Sequence, residues 1–262
     1  MKTIYGVVHV PALPGDPHGT TFEEAYSNSM RDAEALAAGG VHGIIIENFG
    51  SIPFVKGDAA NRIPPHQVAA LTRIATQCKM TLGIEVGINC LRNDAYSAMG
   101  IAAACELDFI RVNVHVGAAV TDQGLIEGDA HLTLRYRREL GCRAKILADV
   151  LVKHASPLGT SDPYEATRDC VHRGLADAVI VSGSGTGEPV NIETLQTVRQ
   201  AAASVPVYVG SGLVPELLDE VLPHVSGGIV GTWFKRAGIT RNPVDVARVR
   251  EFMEEIANWK SP

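Results

Sequence analysis

Along this 262-residue chain, apolar runs repeatedly end in a polar side chain of a type suited to acid–base chemistry. His9 ends the first run and Glu47 the second; Glu85, Arg111 with Asn113, Asp149 and Ser182 end the next four. A carboxylate at the end of a buried run costs several kcal/mol of desolvation unless it is paired or used. Glu85 and Asp149 could therefore act as a general acid and base with their pKa values pushed apart. They could equally join Glu47 or His9 in the oxygen-rich sphere that suits Mg²⁺, or belong to a satisfied network without chemistry. Lys153 follows Asp149 closely, either as a desolvated Schiff-base nucleophile or as a charge partner. His115, two residues past Asn113, reads either as an acid or base or as a loop cap. The chain has no HExxH and no clustered Cys and His, so zinc is not indicated.

The second half carries a different chemistry. Ser182-Gly183-Ser184-Gly185 follows the sixth run, Gly210-Ser211-Gly212 the seventh, and Gly231-Thr232 the eighth. Glycines let backbone N–H groups approach an anion closely, and Ser and Thr add hydroxyl donors. Alone, any of these could be a tight turn. Three on consecutive runs point to phosphate or a similar anion. Lys235, shortly after, reads as a solvated helix residue.

Something must bring these ends together, and the periodicity supplies it. Short β-branched runs at 4–10, 43–47, 81–85, 109–113, 145–150, 178–182, 207–210 and 228–231 alternate with helical apolar spacing. The helices are expected at 21–38, 66–78, 93–105, 129–140, 162–173, 192–203, 215–222 and 243–259. Asp162-Pro163 and Asn242-Pro243 have the form of helix starts, a capping side chain followed by Pro. Near-continuous apolar strands such as Gly43-Ile-Ile-Ile46 are those of a parallel sheet covered on both faces. Eight βα units predict a single-domain (β/α)₈ barrel over 1–262, whose strand ends converge on one catalytic mouth. An open doubly wound sheet is the weaker fit, since no GxGxxG fingerprint leads the chain. The loops 48–65 and 114–128 are longer than tight βα turns, which suits lids or contacts with another subunit.

Composition excludes several classes. A net charge of −6 gives no field that favours nucleic acid. Arg135-Tyr136-Arg137-Arg138 reads as a solvated helix face. The five cysteines form no CxxC pair and no metal-ligand spacing, as in a reducing, cytoplasmic setting. No stretch approaches the ~20 apolar residues of a transmembrane segment. A small-molecule substrate is expected, and self-association into a homo-oligomer stays open.

The chain also resembles the BtpA/SgcQ family of TIM-barrel proteins from end to end. The resemblance lies in Gly6-Val-Val-His-Val-Pro-Ala-Leu-Pro-Gly15, Gly43-Ile-Ile-Ile-Glu-Asn-Phe-Gly50, Gly87-Ile-Asn-Cys-Leu-Arg-Asn-Asp94 and Phe109-Ile-Arg-Val-Asn-Val-His115. It continues in Gln123-Gly-Leu-Ile-Glu-Gly128, Leu147-Ala-Asp-Val-Leu-Val-Lys-His-Ala155 and Val179-Ile-Val-Ser-Gly183. Cys90 stands where an aliphatic residue is expected. The resemblance implies a TIM barrel and two associations: photosystem I biogenesis as a peripheral thylakoid protein, and sugar uptake with sugar-phosphate handling. It assigns no catalytic residue.

The expectation from the residues is an enzyme on a phosphorylated small molecule, a sugar phosphate or nucleotide-like compound, acting by acid–base chemistry as a lyase or isomerase. The alternatives are a nucleoside or glycosidic hydrolase without phosphate recognition, a non-catalytic assembly factor, and a ligand sensor. If Asp149 is functional, Asp149→Asn should remove turnover without loss of stability.

Overall fold

The eight runs form parallel strands that close on themselves in the computed structural model, which describes residues 2–183 and 190–260. The first half runs β1 (Thr3–His9), α1 (Phe22–Ala38), β2 (Gly43–Glu47), α2 (Pro65–Thr81), β3 (Glu85–Asn89), α3 (Ala95–Ala104) and β4 (Phe109–Val112). A hairpin, β5 (Ala118–Thr121) and β6 (Gly124–Glu127), then precedes α4 (Ala130–Glu139), β7 (Lys145–Val150), β8 (Ala155–Pro157) and α5 (Pro163–Arg168). The chain continues through β9 (Ala178–Val181), α6 (Ile192–Ala202), β10 (Val207–Val209), α7 (Leu218–Val221), β11 (Gly227–Val230) and α8 (Val246–Asn258). The closed barrel has the order β1-β11-β10-β9-β7-β4-β3-β2, while β6-β5-β8 make a small separate sheet. The (β/α)₈ expectation holds.

Alternation along each strand builds two cores. Tyr5, Val7, Ile45, Phe109, Leu147, Ile180 and Ile229 fill the barrel. Ile4, Val8, Ile44, Ile46, Val86 and Ile88 point outward and pack with helix residues such as Leu36, Leu71 and Met99. Because side chains alternate with period two, the inward series on β1 ends at His9 and on β2 at Glu47. The register levels His9 with Glu47, and Glu47 with Asn89.

Local chemistry sets the boundaries. Thr21 and Glu24 form a reciprocal capping box at the start of α1. Asp162 caps α5, which passes into a π-turn over Asp169–Arg173. The last helix starts later than Asn242-Pro243 suggested, because the Asp245 side chain accepts from the Ala247 amide instead.

The third strand is four residues later than expected. Thr81-Leu-Gly-Ile-Glu-Val-Gly-Ile-Asn89 holds two overlapping apolar runs, and α2 runs into the first of them, ending at Thr81 with Leu82 as its C-cap. Gly83 then turns the chain at φ 66° and the strand begins at Glu85. Glu85 therefore stands at the opposite end of the barrel, level with Gly43, which is level with Tyr5. Four residues of strand separate it from the His9–Glu47–Asn89 row, about 13 Å at the usual rise.

The long loop 114–128 is likewise not an irregular lid. Most of it is the β5–β6 hairpin, whose Ala119 and Ile126 pack on Val114 and Val152. Among the described residues no helix is long and apolar enough to cross a membrane. The five cysteines are free, Cys142 half-buried and the others buried.

Candidate active site at the barrel mouth

At the C-terminal ends of the strands lies a cavity of about 610 Å³, within the usual range for small-molecule sites. His9, Glu47, Asn89, Arg92, Arg111, Asn113 and Lys153 line it together with Gly210, Ser211, Gly212, Gly231 and Thr232. Phe49, Ile52, Phe54 and Trp233 supply an apolar rim.

Arg111 organises the charged half. Its Nε and Nη2 donate to Asp149 Oδ2 and Oδ1 at 3.2 and 3.0 Å, and Nη1 donates to Glu47 Oε1 at 3.3 Å. Burial works against the guanidinium charge, yet Asp149 and Glu47 hold its pKa above the ordinary value. Both oxygens of Asp149 are occupied, since Asn113 Nδ2 also donates to Oδ2 at 2.7 Å. Asp149 does not line the main cavity. It stands behind Arg111 and Asn113 and orients them.

Glu47 is placed differently. Its hydrogen bonds, from Arg111 and from Asn89 Nδ2 at 3.0 Å, both fall on Oε1, which leaves Oε2 for the cavity. His9 packs against Phe49 with ring centroids 4.5 Å apart, and its Nδ1 has no partner. Burial first, then the charges of Lys235, Lys153 and Arg111, hold its pKa well below the usual histidine value, so the ring is neutral at pH 7. Asn113 Oδ1 and Ser182 Oγ are also buried without partners. Unpaired buried polar atoms are rare in folded proteins. Here these three gather at one mouth, with Arg92 Nε as a fourth.

The glycines leave room that a side chain would take. A Cβ on Gly210 would stand 2.5 Å from Ser182 Oγ and 3.5 Å from Arg111 Nη2. One on Gly231 would stand 3.0 Å from His9 Cε1. The Gly183 amide donates to Ser211 Oγ at 3.2 Å, which ties the loops after β9 and β10 together. Ser184 and Gly185 lie outside the described residues.

Several expected residues stand elsewhere. Glu85, at the far end of β3, accepts from Tyr5 Oη at 2.7 Å and cannot pair with Asp149 in acid–base work at the mouth. His115 does not line this cavity; its Nε2 donates to the Gly174 carbonyl at 2.8 Å, at the end of the π-turn. It is a cap. Lys153 does line the mouth, yet Asp149 pairs with Arg111 rather than with it. Lys235 is not solvated: it is buried 2.7 Å from Asp32 Oδ2. Among the described residues no three His, Cys, Asp or Glu side chains cluster as metal ligands, and Arg111 fills the place between Glu47 and Asp149. The carboxylates at the mouth thus do not fit a divalent ion.

Asn89 and Arg92 were not among the expected site residues. The signal was present in Asn89-Cys-Leu-Arg-Asn-Asp94, a polar cluster directly after an apolar run. A strand at 81–85 leaves that cluster in the loop and at the start of the next helix. Asp122, at the hairpin tip, also reaches the cavity rim, which only the tertiary fold reveals.

Fold and mouth together define a TIM-barrel protein with a cavity lined by charged and polar side chains at its strand ends. The chain belongs to the BtpA family, whose model matches residues 1–258. It is 46% identical over 255 residues to the photosystem I biogenesis protein BtpA of Synechocystis, covering 97% of this chain and 88% of that protein. Among solved structures it is similar to phosphoribosyl anthranilate isomerase from Thermococcus kodakaraensis, with a TM-score of 0.57 and 13% identity over 99% of this chain and 100% of the other. Thiamine phosphate pyrophosphorylase from Pyrococcus furiosus gives a TM-score of 0.58 and 12% identity over 97% and 96%. These two likenesses establish the fold.

Proposed function

We propose that this protein is an enzyme acting on a phosphorylated small molecule by acid–base chemistry at the barrel mouth. The observation that carries the reading is the division of one cavity into two halves. The glycine loops after β10 and β11 offer bare backbone and hydroxyls, the usual phosphate position of such barrels. In the same cavity Glu47 Oε2 and the neutral His9, which stands beside Gly231, face the reacting end. Glu47 would take a proton, and His9 would donate to the oxygen on which charge develops, as a neutral imidazole can. Arg111 would hold Glu47 in place, and Asp149 would hold Arg111. Proton movement between two fixed groups suits an isomerase or lyase. Both similar solved structures are named for phosphorylated compounds, which supports the substrate class.

The cyanobacterial relative's name favours a second reading, a factor that binds such a ligand without turning it over. A thermal-shift panel of sugar phosphates, nucleotides and neutral nucleosides, with and without Mg²⁺, tests both, followed by turnover assays on each hit. A ligand at a hundred times its Kd adds about 2.7 kcal/mol, which is several degrees for a chain this size. Phosphorylated hits with turnover support the enzyme, and hits without turnover the factor. Shifts from nucleosides alone would sink the phosphate assignment and leave a glycosidic hydrolase.

A further inference from the structure

Arg92 is 6% exposed, lines the cavity and has a buried Nε without any partner. Among the described residues its side chain makes one hydrogen bond, from Nη2 to the Lys153 carbonyl at 2.9 Å. Among the described residues neither Arg92 nor Lys153 forms an ion pair. Burying a guanidinium without a counter-ion is costly unless something completes it. Yet the loop that carries it is held firmly. Asn48 bonds both the amide and the carbonyl of Leu91, at 2.7 and 2.9 Å. Asn93 bonds the Val114 amide and carbonyl at 2.7 and 3.0 Å. Arg92 is thus fixed at the mouth rather than left to swing toward water.

Its position in the ring is equally specific. Around the eight-strand closure, β3 stands diametrically across from β10, and β4 across from β11. Arg92 follows β3, so it faces the Gly210–Gly212 loop over the cavity, and Lys153 follows β7 on the same side as Arg111. The buried and half-buried charges there are Arg92, Arg111 and Lys153 against Glu47 and Asp149, three positive less two negative, which leaves one positive charge. Asp122, on the exposed hairpin tip at the cavity rim, acts on Arg92 through space without an ion pair and is screened there by water. A single negative charge balances this end, which a carboxylate supplies and a dianionic phosphate exceeds. Asn113 Oδ1, unpartnered between the two ends, calls for a donor such as a hydroxyl.

We propose that Arg92 and Lys153 form a second anion subsite across the mouth from the glycine loops, and that the ligand is a phosphorylated hydroxy acid carrying a carboxylate at its far end. This rests on the phosphate reading for one end of the ligand only. The test is calorimetric titration of 3-phosphoglycerate, glycerol 3-phosphate and glycerate into wild type, Arg92→Gln and Lys153→Gln. Wild type should bind 3-phosphoglycerate roughly tenfold or more tightly than glycerol 3-phosphate, the scale of a charge-assisted pair. That ratio should fall below about threefold in both variants. Lys153 is half-buried, so Lys153→Gln keeps the test open should Arg92→Gln fail to fold. Equal affinities for the two phosphates in wild type, or a ratio that survives Lys153→Gln, would overturn the subsite while leaving the phosphate reading intact. Glycerate and 3-phosphoglycerate binding equally, with both weakened in the variants, would keep the subsite and remove the phosphate end. No binding of any of the three overturns both.

Discussion

Arg111 bears on both stability and function, because two buried carboxylates depend on it. Removing one member of a buried ion group leaves the others uncompensated, at about 3–5 kcal/mol. Arg111→Met should therefore shift the urea midpoint strongly downward, and an unchanged midpoint would show that Glu47 and Asp149 do not need it. The same geometry reverses the expectation that Asp149→Asn leaves stability intact. The variant weakens two Arg111 bonds and one from Asn113, so it should lose about 1–3 kcal/mol as well as activity. His9 gives the pH dependence. An unfolded histidine titrates near 6.5, whereas folded His9 titrates well below that, and His115 is also lowered, chiefly by burial. Between the two values the unfolded chain binds more protons. Stability is therefore complete above about pH 6.5 and falls as pH drops, by at most ~1.4 kcal/mol per pH unit for each ring. NMR of the His9 ring protons should show the imidazole still neutral where an ordinary histidine is half protonated; titration at the ordinary value would contradict this environment.

At the level of elements, seven of the eight strands were legible because a β-branched run followed by a polar end has few other uses. The eighth, β3, was not, since Thr81–Asn89 offers two apolar runs and only the packing of α2 decides which one is strand. That one slip put Glu85 at the mouth on paper and hid Asn89 and Arg92. The Asp32–Lys235 pair was likewise unreadable, since its partners lie far apart in sequence, while the π-turn and the β5–β6 hairpin are local but carry too short an apolar pattern to stand out. The glycine loops were readable as loops, and their spacing to His9 was not. Gly231 tests that spacing. Its φ of −112° is open to any residue and its ψ of −78° lies just outside the usual helical range, so Gly231→Ala should lower the melting temperature by a few degrees at most. The added Cβ would press on the His9 ring, and affinity for the phosphorylated hits should fall about tenfold, or ~1.4 kcal/mol. Undiminished affinity would place the ligand away from β11.

Over the whole molecule, the barrel separates work from support along its axis. The mouth gathers unpaired polar atoms and bare backbone, features that cost stability. The other end carries Tyr5, Phe109 and Tyr208 in contact, with ring centroids 4.7 and 5.5 Å apart, and Glu85 accepting from the Tyr5 hydroxyl. Burial first, then the bond to Glu85, raises the Tyr5 pKa well above its ordinary value, so the hydroxyl stays protonated and keeps donating. A side chain there should matter for stability and not for ligands. Glu85→Ala leaves the Tyr5 hydroxyl without its acceptor, at about 1–2 kcal/mol, which is several degrees of melting temperature for a chain of this length. Affinity for every ligand bound at the mouth should change by less than about twofold, under ~0.4 kcal/mol. A Glu85→Ala protein that keeps its melting temperature and loses its ligand would place the reacting end at the foot of the barrel, and with it the chemistry assigned to Glu47 and His9.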